Sequence, residues 1–178
     1  LAELMFGNYV YNCANAVLLN PIKDGNNPTV ANMKHKRIIF YREPDTTEQK
    51  KMNIATIKEL TGGKAVNARM NYSNDTKTVL VGTHILECNE RPKLSGRVDD
   101  AVVRRLIDIP FRSVFTSKPE DYFGEYVFKK DDYYKSTEFQ TKFRCVMFKT
   151  LLKYWKEYRR SGENIDEFIC DSVKERTN

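Results

Sequence analysis

Histidine and cysteine are scarce in this chain, and that scarcity limits the sites it can form. Its 178 residues include two histidines and four cysteines. These residues are scattered, with no C-x-x-C pair, at His35, His84, Cys13, Cys88, Cys145 and Cys170. We therefore predict no zinc site, no disulfide framework and reduced, intracellular thiols.

Long apolar runs are also lacking. No stretch approaches the length of a transmembrane helix, and the N-terminus lacks a signal-peptide pattern, so we expect no membrane partner. The chain begins with Leu1 rather than Met, and residues 1–6 resemble the last turns of a helix that stops at Gly7-Asn8. We expect such a chain to be a fragment of a longer protein.

The composition is that of a folded, basic domain. Hydrophobic residues make up 40% of the chain, which argues against global disorder. The length suits one domain with a core and a small helical appendage. A net charge of +6 mildly favours polyanionic partners.

Short apolar runs alternate with helical patterns along the middle of the chain. Residues 37–41 are predicted to form a buried strand, residues 83–88 another strand, and residues 106–111 a final strand. Helices are predicted at 46–60 and 99–106. This alternation predicts an α/β fold with a largely parallel sheet.

The remaining segments complete the expected architecture. Residues 20–30 read as a loop, and residues 65–72 and 77–80 as the two strands of a hairpin. Residues 138–159 are predicted to form a helix with an apolar stripe packed against a core, and 163–174 a shorter helix.

Two strand ends carry candidate catalytic residues. Glu43 follows the strand 37–41, and Asn89 follows the strand 83–88. In parallel sheets, chemistry sits at the carboxyl ends of strands. A glutamate there can polarise water, and an asparagine can hold a γ-phosphate or attacking water. Taken alone, Glu43 has an exposed loop carboxylate as its ordinary explanation, and Asn89 a turn residue.

Basic residues mark two further candidate sites. Lys64, Arg69 and Lys77 lie on the predicted hairpin, where cations suit a phosphate backbone. Arg104 and Arg105 lie near the end of the helix predicted at 99–106, and an arginine at a subunit face can neutralise a transferred phosphoryl group. A solvated hairpin and surface ion pairs are the alternative explanations.

Taken in order, these segments resemble the poxvirus-type branch of the superfamily 3 helicases. The matching motifs are a strand followed by Glu43-Pro44, then residues 58–63 (KELTGG), residues 68–69, residues 89–92 (NERP) and residues 104–111. The match runs from about residue 36 to residue 112. Members of this family are ring-forming AAA+ ATPases that are usually fused to a primase.

The resemblance implies a role for each candidate residue. Glu43 corresponds to the Walker B glutamate, Asn89 to the sensor asparagine, and Arg105 or Arg104 to the arginine finger. The hairpin carrying Lys64, Arg69 and Lys77 corresponds to the loop that contacts DNA. The implied cofactors are ATP and Mg²⁺, and the implied partners are single-stranded or forked DNA, a primase and copies of the chain in a ring, expected to be a hexamer.

The phosphate-binding loop of that family is not found in this chain, because no G-x-x-x-x-G-K-[ST] motif occurs. Arg42 stands before Glu43, where many such enzymes have a second acidic residue. We therefore expect residues 1–115 to be the C-terminal part of the ATPase core, 116–178 to be a helical extension, and this chain alone to be inactive.

Two other functions stay open at this point. One is a non-catalytic nucleic-acid-binding or scaffold fragment derived from such a helicase. The other, a metal-dependent nuclease, is poorly supported, since no second carboxylate cluster has two-metal spacing. For a viral protein of the first kind, we expect an intracellular location, in the host cytoplasm or at a viral replication site.

Overall fold

The computed structural model describes residues 1–42, 51–74 and 77–177 and divides into two compact units. The larger comprises Phe6–Leu106 with Ala2, and the smaller comprises Ile107 onward with Leu1 and Glu3–Met5. Among the described helices, none combines the length and the apolar character needed to cross a membrane. The functional division expected at residue 115 stays a prediction.

The elements form a mixed α/β chain. In chain order the strands are β1 (Val10–Cys13), β2 (Gly25–Asn26), β3 (Ile38–Arg42), β4 (Met52–Asn53), β5 (Ala65–Arg69), β6 (Lys77–Val79), β7 (Thr83–Glu87), β8 (Leu94–Ser95), β9 (Val114–Thr116) and β10 (Val127–Lys129). The α-helices are α1 (Ala2–Phe6), α2 (Ala16–Leu19), α3 (Pro28–Ala31), α4 (Ile54–Leu60), α5 (Asp100–Val103), α6 (Thr137–Arg160) and α7 (Asp171–Thr177). The sheets are small and mostly parallel, as the alternating pattern predicted.

The sheet that positions the candidate site has the order β1-β3-β7, and all three strands are parallel. Its central strand, β3, confirms the strand predicted at residues 37–41, and β7 confirms the one predicted at 83–88. Ile39 and Tyr41 point to one face of β3 and are almost fully buried. Their period-two burial follows from strand geometry, in which alternate side chains share a face.

The core of the larger unit forms against that face of β3. Apolar side chains from α3 and the turn after it, from α4 and from the hairpin strands pack there together with Ile39 and Tyr41; they include Val30, Met33, Ile57, Leu60, Val66 and Ala68. Burying one such large apolar side chain contributes about 1.5–3 kcal/mol. The cluster therefore fixes the sheet against the helices that flank the site.

Helix α4 is shorter than the helix predicted at residues 46–60. Asn53 caps it by accepting a hydrogen bond from the Thr56 N–H at 3.0 Å, and residues 43–50 lie outside the described part of the chain. The cap residue also belongs to β4, which pairs with β8. The helix ends before Gly62 and Gly63, as predicted. A Cβ at Gly62 would lie 2.8 Å from a backbone carbonyl oxygen, and Gly63 has a φ of +67°.

The hairpin prediction is confirmed by the antiparallel pairing of β5 with β6. Val66, Ala68 and Thr78 face the core, and the Thr78 hydroxyl donates to the Ala68 carbonyl oxygen at 3.0 Å. β2 pairs parallel to the other side of β5. The segment predicted as a loop at residues 20–30 therefore contains a short strand as well as the start of α3.

The strand predicted at residues 106–111 is wrong. These residues have no strand or helix assignment, and Ile107, Ile109 and Phe111 are exposed. Apolar alternation forms a strand only where a neighbouring strand supplies backbone hydrogen bonds. Within the described ranges, no segment pairs with residues 106–111.

Helix α6 confirms the long helix predicted at residues 138–159. Ser136 caps it, with its hydroxyl oxygen accepting from the Phe139 N–H at 3.1 Å. The expectation that its apolar stripe is core is wrong, because no residue of α6 is buried. Apolar periodicity identifies a helix face but does not say what covers it.

Candidate functional site

The candidate site lies where β3 and β7 end side by side. Arg42 and Glu87 are register partners, and the Arg42 Nε lies 3.7 Å from a Glu87 carboxylate oxygen. Both side chains are more than half exposed. An exposed ion pair of this kind adds little stability. A shallow cleft at this edge is lined by Arg42, Glu87, Cys88 and Asn89.

Of the two predicted catalytic residues, Asn89 is described by the structure and Glu43 is not. Asn89 lines the cleft, as expected for a residue that follows β7. Glu43 lies outside the described residues, although Arg42, which precedes it, ends β3 at this same edge. The adjacency of the two parallel strands is therefore observed, whereas the pairing of Glu43 with Asn89 stays a prediction.

A buried polar cluster lies one step behind the cleft, on the core face of the same strands. The Tyr41 hydroxyl and His84 Nδ1 are 2.9 Å apart, and the two rings stack at 5.9 Å between centroids. Burial lowers the pKa of His84, and the backbone of Leu60 partly offsets that effect. Burial also raises the pKa of Tyr41, so the cluster is neutral near pH 7.

Cys13, at the end of β1, belongs to the same cluster. Burial raises the pKa of its thiol to about 11, so it is protonated and packs as a small apolar side chain. Tyr41, His84 and Cys13 are thus neutral groups behind the strand ends, and the charged side chains that line the cleft are Arg42 and Glu87.

The cleft combines N–H donors with one carboxylate, because Glu87 lies beside Arg42 and pairs with it. Arg42 and Asn89 carry N–H donors suited to phosphate oxygens. No group of three or more histidine, cysteine, aspartate or glutamate side chains gathers in the part of the chain that the structure describes.

The arginine pair at the end of α5 is exposed and held by its own helix. The Arg104 Nε donates to the Asp100 carbonyl oxygen at 3.2 Å, and Arg105 donates to the carbonyl oxygen of Ala101. Both guanidinium groups thus remain at the surface, where a second molecule can reach them.

One aspartate positions that helix. Asp99 caps α5 by accepting from the Val102 N–H at 3.0 Å, and it accepts from Lys58 of α4 at 2.7 Å. The Lys58 ammonium is the main cause of the lowered pKa of this carboxyl. Asp99 therefore connects the arginine pair to α4.

The three predicted DNA-contacting cations differ in their exposure. Lys77 is exposed and lies opposite Asn67 on the outward face of the hairpin. Lys64 is exposed just before β5 begins, at the hairpin's base. Arg69 is half-buried and donates to the Ser73 carbonyl oxygen at 3.3 Å, so its guanidinium is partly engaged in the turn.

Sequence reasoning missed the roles of Glu87, His84 and Asp99. Each depends on a partner more than 40 positions away, namely Arg42, Tyr41 and Lys58 respectively. Asp99 carried a detectable signal, because aspartate just before a short apolar helix is a frequent N-cap. The other two carried none, since a pairing across strands is set by register.

Comparison with known proteins shows viral relatives. No protein-family model matches the chain. It is 30% identical over 164 residues to "Primase D5" of Fowlpox virus (strain NVSL), covering 89% of this chain and 20% of that protein. It is 28% identical over 171 residues to "Uncoating factor OPG117" of Monkeypox virus, covering 89% and 21%. It is 29% identical over 144 residues to "Putative helicase L207/L206" of Acanthamoeba polyphaga mimivirus, covering 76% and 14%.

The chain resembles viral primase- and helicase-type proteins. The similarity extends over most of its length, while the chain itself spans about a fifth of the length of the poxvirus relatives. The small parallel sheets are compatible with a P-loop-like fold.

Proposed function

We propose that this chain forms the C-terminal part of an ATP-dependent DNA helicase motor of viral genome replication. In this proposal the motor hydrolyses ATP at the subunit interfaces of a ring, expected to be hexameric, and works with a primase. The main support is the parallel adjacency of β3 and β7, which brings Asn89 to the sheet edge where Arg42 ends its strand. The names of the fowlpox and mimivirus relatives agree with it.

In this proposal the chain's own residues accept a proton, orient the attacking water and neutralise charge on the phosphates. Glu43 would accept a proton from the attacking water, and the Asn89 amide would donate to a γ-phosphate oxygen or orient that water. Arg105, or its neighbour Arg104, would reach the nucleotide of the adjacent subunit and neutralise developing charge. Mg²⁺, when bound with ATP, would neutralise phosphate charge.

DNA would be contacted by the hairpin. Lys77 and Lys64 present ammonium groups to solvent, while Arg69 braces the turn. These cations suit a sugar–phosphate backbone, and their contacts would weaken as salt rises. Movement of the hairpin with each hydrolysis step would carry one strand along the ring.

The direct test is ATPase activity in a longer polypeptide that adds a phosphate-binding loop to this chain. We expect ATP hydrolysis that single-stranded DNA stimulates, and no hydrolysis by the chain alone, which has no such loop. Asn89→Ala should abolish most hydrolysis while the protein stays folded by circular dichroism. A longer polypeptide that binds ATP but never hydrolyses it would contradict the proposal.

The two arginines can be separated by single substitutions in the same polypeptide. Loss of an arginine finger typically lowers turnover by about 10³-fold or more. We expect Arg105→Ala to cause the larger loss, and Arg104→Ala the smaller. Equal, mild effects would contradict the assignment of either residue as the finger.

A second candidate is a non-catalytic nucleic-acid-binding or scaffold fragment derived from such a helicase, and the exposed hairpin lysines Lys64 and Lys77 agree with it. Under this alternative, the hairpin cations bind nucleic acid but Asn89 has no role in turnover. The ATPase measurement separates the two candidates, whereas DNA binding is expected from both.

A further inference from the structure

Five cations lie in one row along α6, outside every site described above. They follow one another at intervals of seven, four, three and four residues, as Lys142, Lys149, Lys153, Lys156 and Arg160. At 3.6 residues per turn, these positions share an arc of about 60° on one face, and at 1.5 Å per residue the row is about 27 Å long. We call these five residues the basic row.

The basic row is open to solvent. All five side chains belong to exposed residues, and none forms an ion pair with another residue in the described part of the chain. Two carboxylates, Glu138 and Glu157, border the row, so five positive charges face two negative ones. A surface of this charge and length attracts a linear polyanion.

We propose that the basic row binds the sugar–phosphate backbone of a nucleic acid, as a second contact separate from the hairpin. Successive cations are about 4.5–10.5 Å apart along the helix axis, which lets several lysines reach successive phosphates of one strand. Lys142 lies beside Phe143, with its Nζ 5.8 Å from the ring centroid. The contact that we propose is with backbone phosphates, which position a strand without reading its sequence.

The alternative of a membrane surface is less well supported by the contacts of α6. An interfacial helix needs its apolar face free to enter the lipid. Here rings of the same chain contact both ends of that face, while its middle stays exposed at residues such as Val146 and Tyr154. Phe139 lies 5.0 Å from Tyr134 and 5.4 Å from Tyr133 between ring centroids, and Tyr158 lies 5.9 Å from Phe168.

The test compares two triple variants of the full chain with equal net charge. One is Lys149→Gln/Lys153→Gln/Lys156→Gln, which empties the middle of the basic row. The control is Lys118→Gln/Lys129→Gln/Lys135→Gln, which removes three exposed lysines elsewhere in the smaller unit. Circular dichroism checks that α6 persists, and Lys149→Arg/Lys153→Arg/Lys156→Arg keeps the charge.

Binding is measured by fluorescence anisotropy on a labelled single strand and on the matching duplex, without nucleotide, over a range of salt. For the row variant we expect a loss of affinity of about tenfold or more, because three phosphate contacts disappear. The salt slope should fall by about 2 on the single strand and by about 3 on the duplex. The control and the arginine variant should bind like the parent chain. The row variant should lose more affinity for one of the two nucleic acids, and that one, the single strand or the duplex, is the ligand of the basic row.

Three results would overturn the inference. One is an equal loss of affinity in the row variant and its control, which would mean that net charge alone, and not the row, determines binding. Another is binding to vesicles of phosphatidylcholine and phosphatidylserine but to neither nucleic acid. The third is loss of binding in Lys64→Gln/Lys77→Gln with none in the row variant, which would leave the hairpin of the proposed helicase as the contact. These binding assays do not measure ATPase activity, so a negative result for the basic row would leave the proposed helicase function untouched.

Discussion

Gly82 lies at the point where the chain enters β7, and its substitution tests how β7 is seated on β3. A Cβ added at Gly82 would overlap the Cδ1 of buried Ile39 and lie 3.0 Å from the carbonyl oxygen of Lys36. The Lys36 carbonyl oxygen belongs to the backbone and cannot rotate away. The overlap must therefore be relieved by moving the Ile39 side chain or by separating β7 from β3. We therefore expect Gly82→Ala to lower the free energy of unfolding by about 1–3 kcal/mol, as overpacking does.

The reasoning predicts a specific rescue. Ile39→Val removes the Cδ1 methyl that the new Cβ would meet; alone it costs about 0.5–1.5 kcal/mol. Combined with Gly82→Ala, it should give a protein more stable than the sum of the single effects predicts, by about 1 kcal/mol. Urea unfolding followed by circular dichroism measures each term.

Ile38→Val is the matched control for this cycle. Ile38 precedes Ile39 on β3 and points to the opposite face, so its truncation leaves the overlap in place. We expect its effect to add to that of Gly82→Ala without coupling. Equal coupling with both residues, or a Gly82→Ala protein as stable as the parent, would refute the seating of β7 on β3.

Further predictions concern groups near the site and on α6. Because burial lowers the pKa of His84 below 6.5, the unfolded chain binds more protons just below that pH. The free energy of unfolding should therefore fall with acidification, and His84→Gln should flatten that slope in urea titrations between about pH 7 and about pH 5. Cys170 is exposed and the Ser172 hydroxyl is the main cause of its lowered pKa, whereas Cys13 is buried and its pKa is raised. Under limiting iodoacetamide at neutral pH, mass spectrometry should therefore find Cys170 alkylated first and Cys13 last. The reverse order would contradict these environments. Ser136→Ala should lower the helicity of α6 and cost about 1 kcal/mol in urea unfolding, while Ser136→Asp should cost less because it can still cap the Phe139 N–H.

Local sequence patterns predicted the strands that carry the site. Residues 37–41 contain an apolar run that is too short for a helix and predicted β3. The alternation of strands and helices predicted a largely parallel sheet, and β3 and β7 are parallel. The glycine pair after α4 likewise predicted both the end of the helix and the reversal into the hairpin. These features depend on neighbours in sequence, which is why they could be predicted.

The predictions that failed depend on which other part of the chain pairs with or packs against a segment. Residues 106–111 alternate as a strand does, but strand formation needs a hydrogen-bonding neighbour that the local pattern does not reveal. The apolar stripe of α6 has core-like spacing, yet residues such as Val146 and Tyr154 are exposed. The Tyr41–His84 contact depends on strand register and could not be predicted from local composition.

The central claim is that the residues following β3 and β7 act together on ATP. Its most direct measurement compares Glu43→Gln with the parent sequence, both within a longer polypeptide that includes a phosphate-binding loop, in parallel assays of nucleotide binding and hydrolysis. We predict unchanged ATP binding and loss of hydrolysis, because glutamine keeps the shape of the side chain but cannot accept the proton of the attacking water. Full turnover by the Glu43→Gln protein would contradict the account.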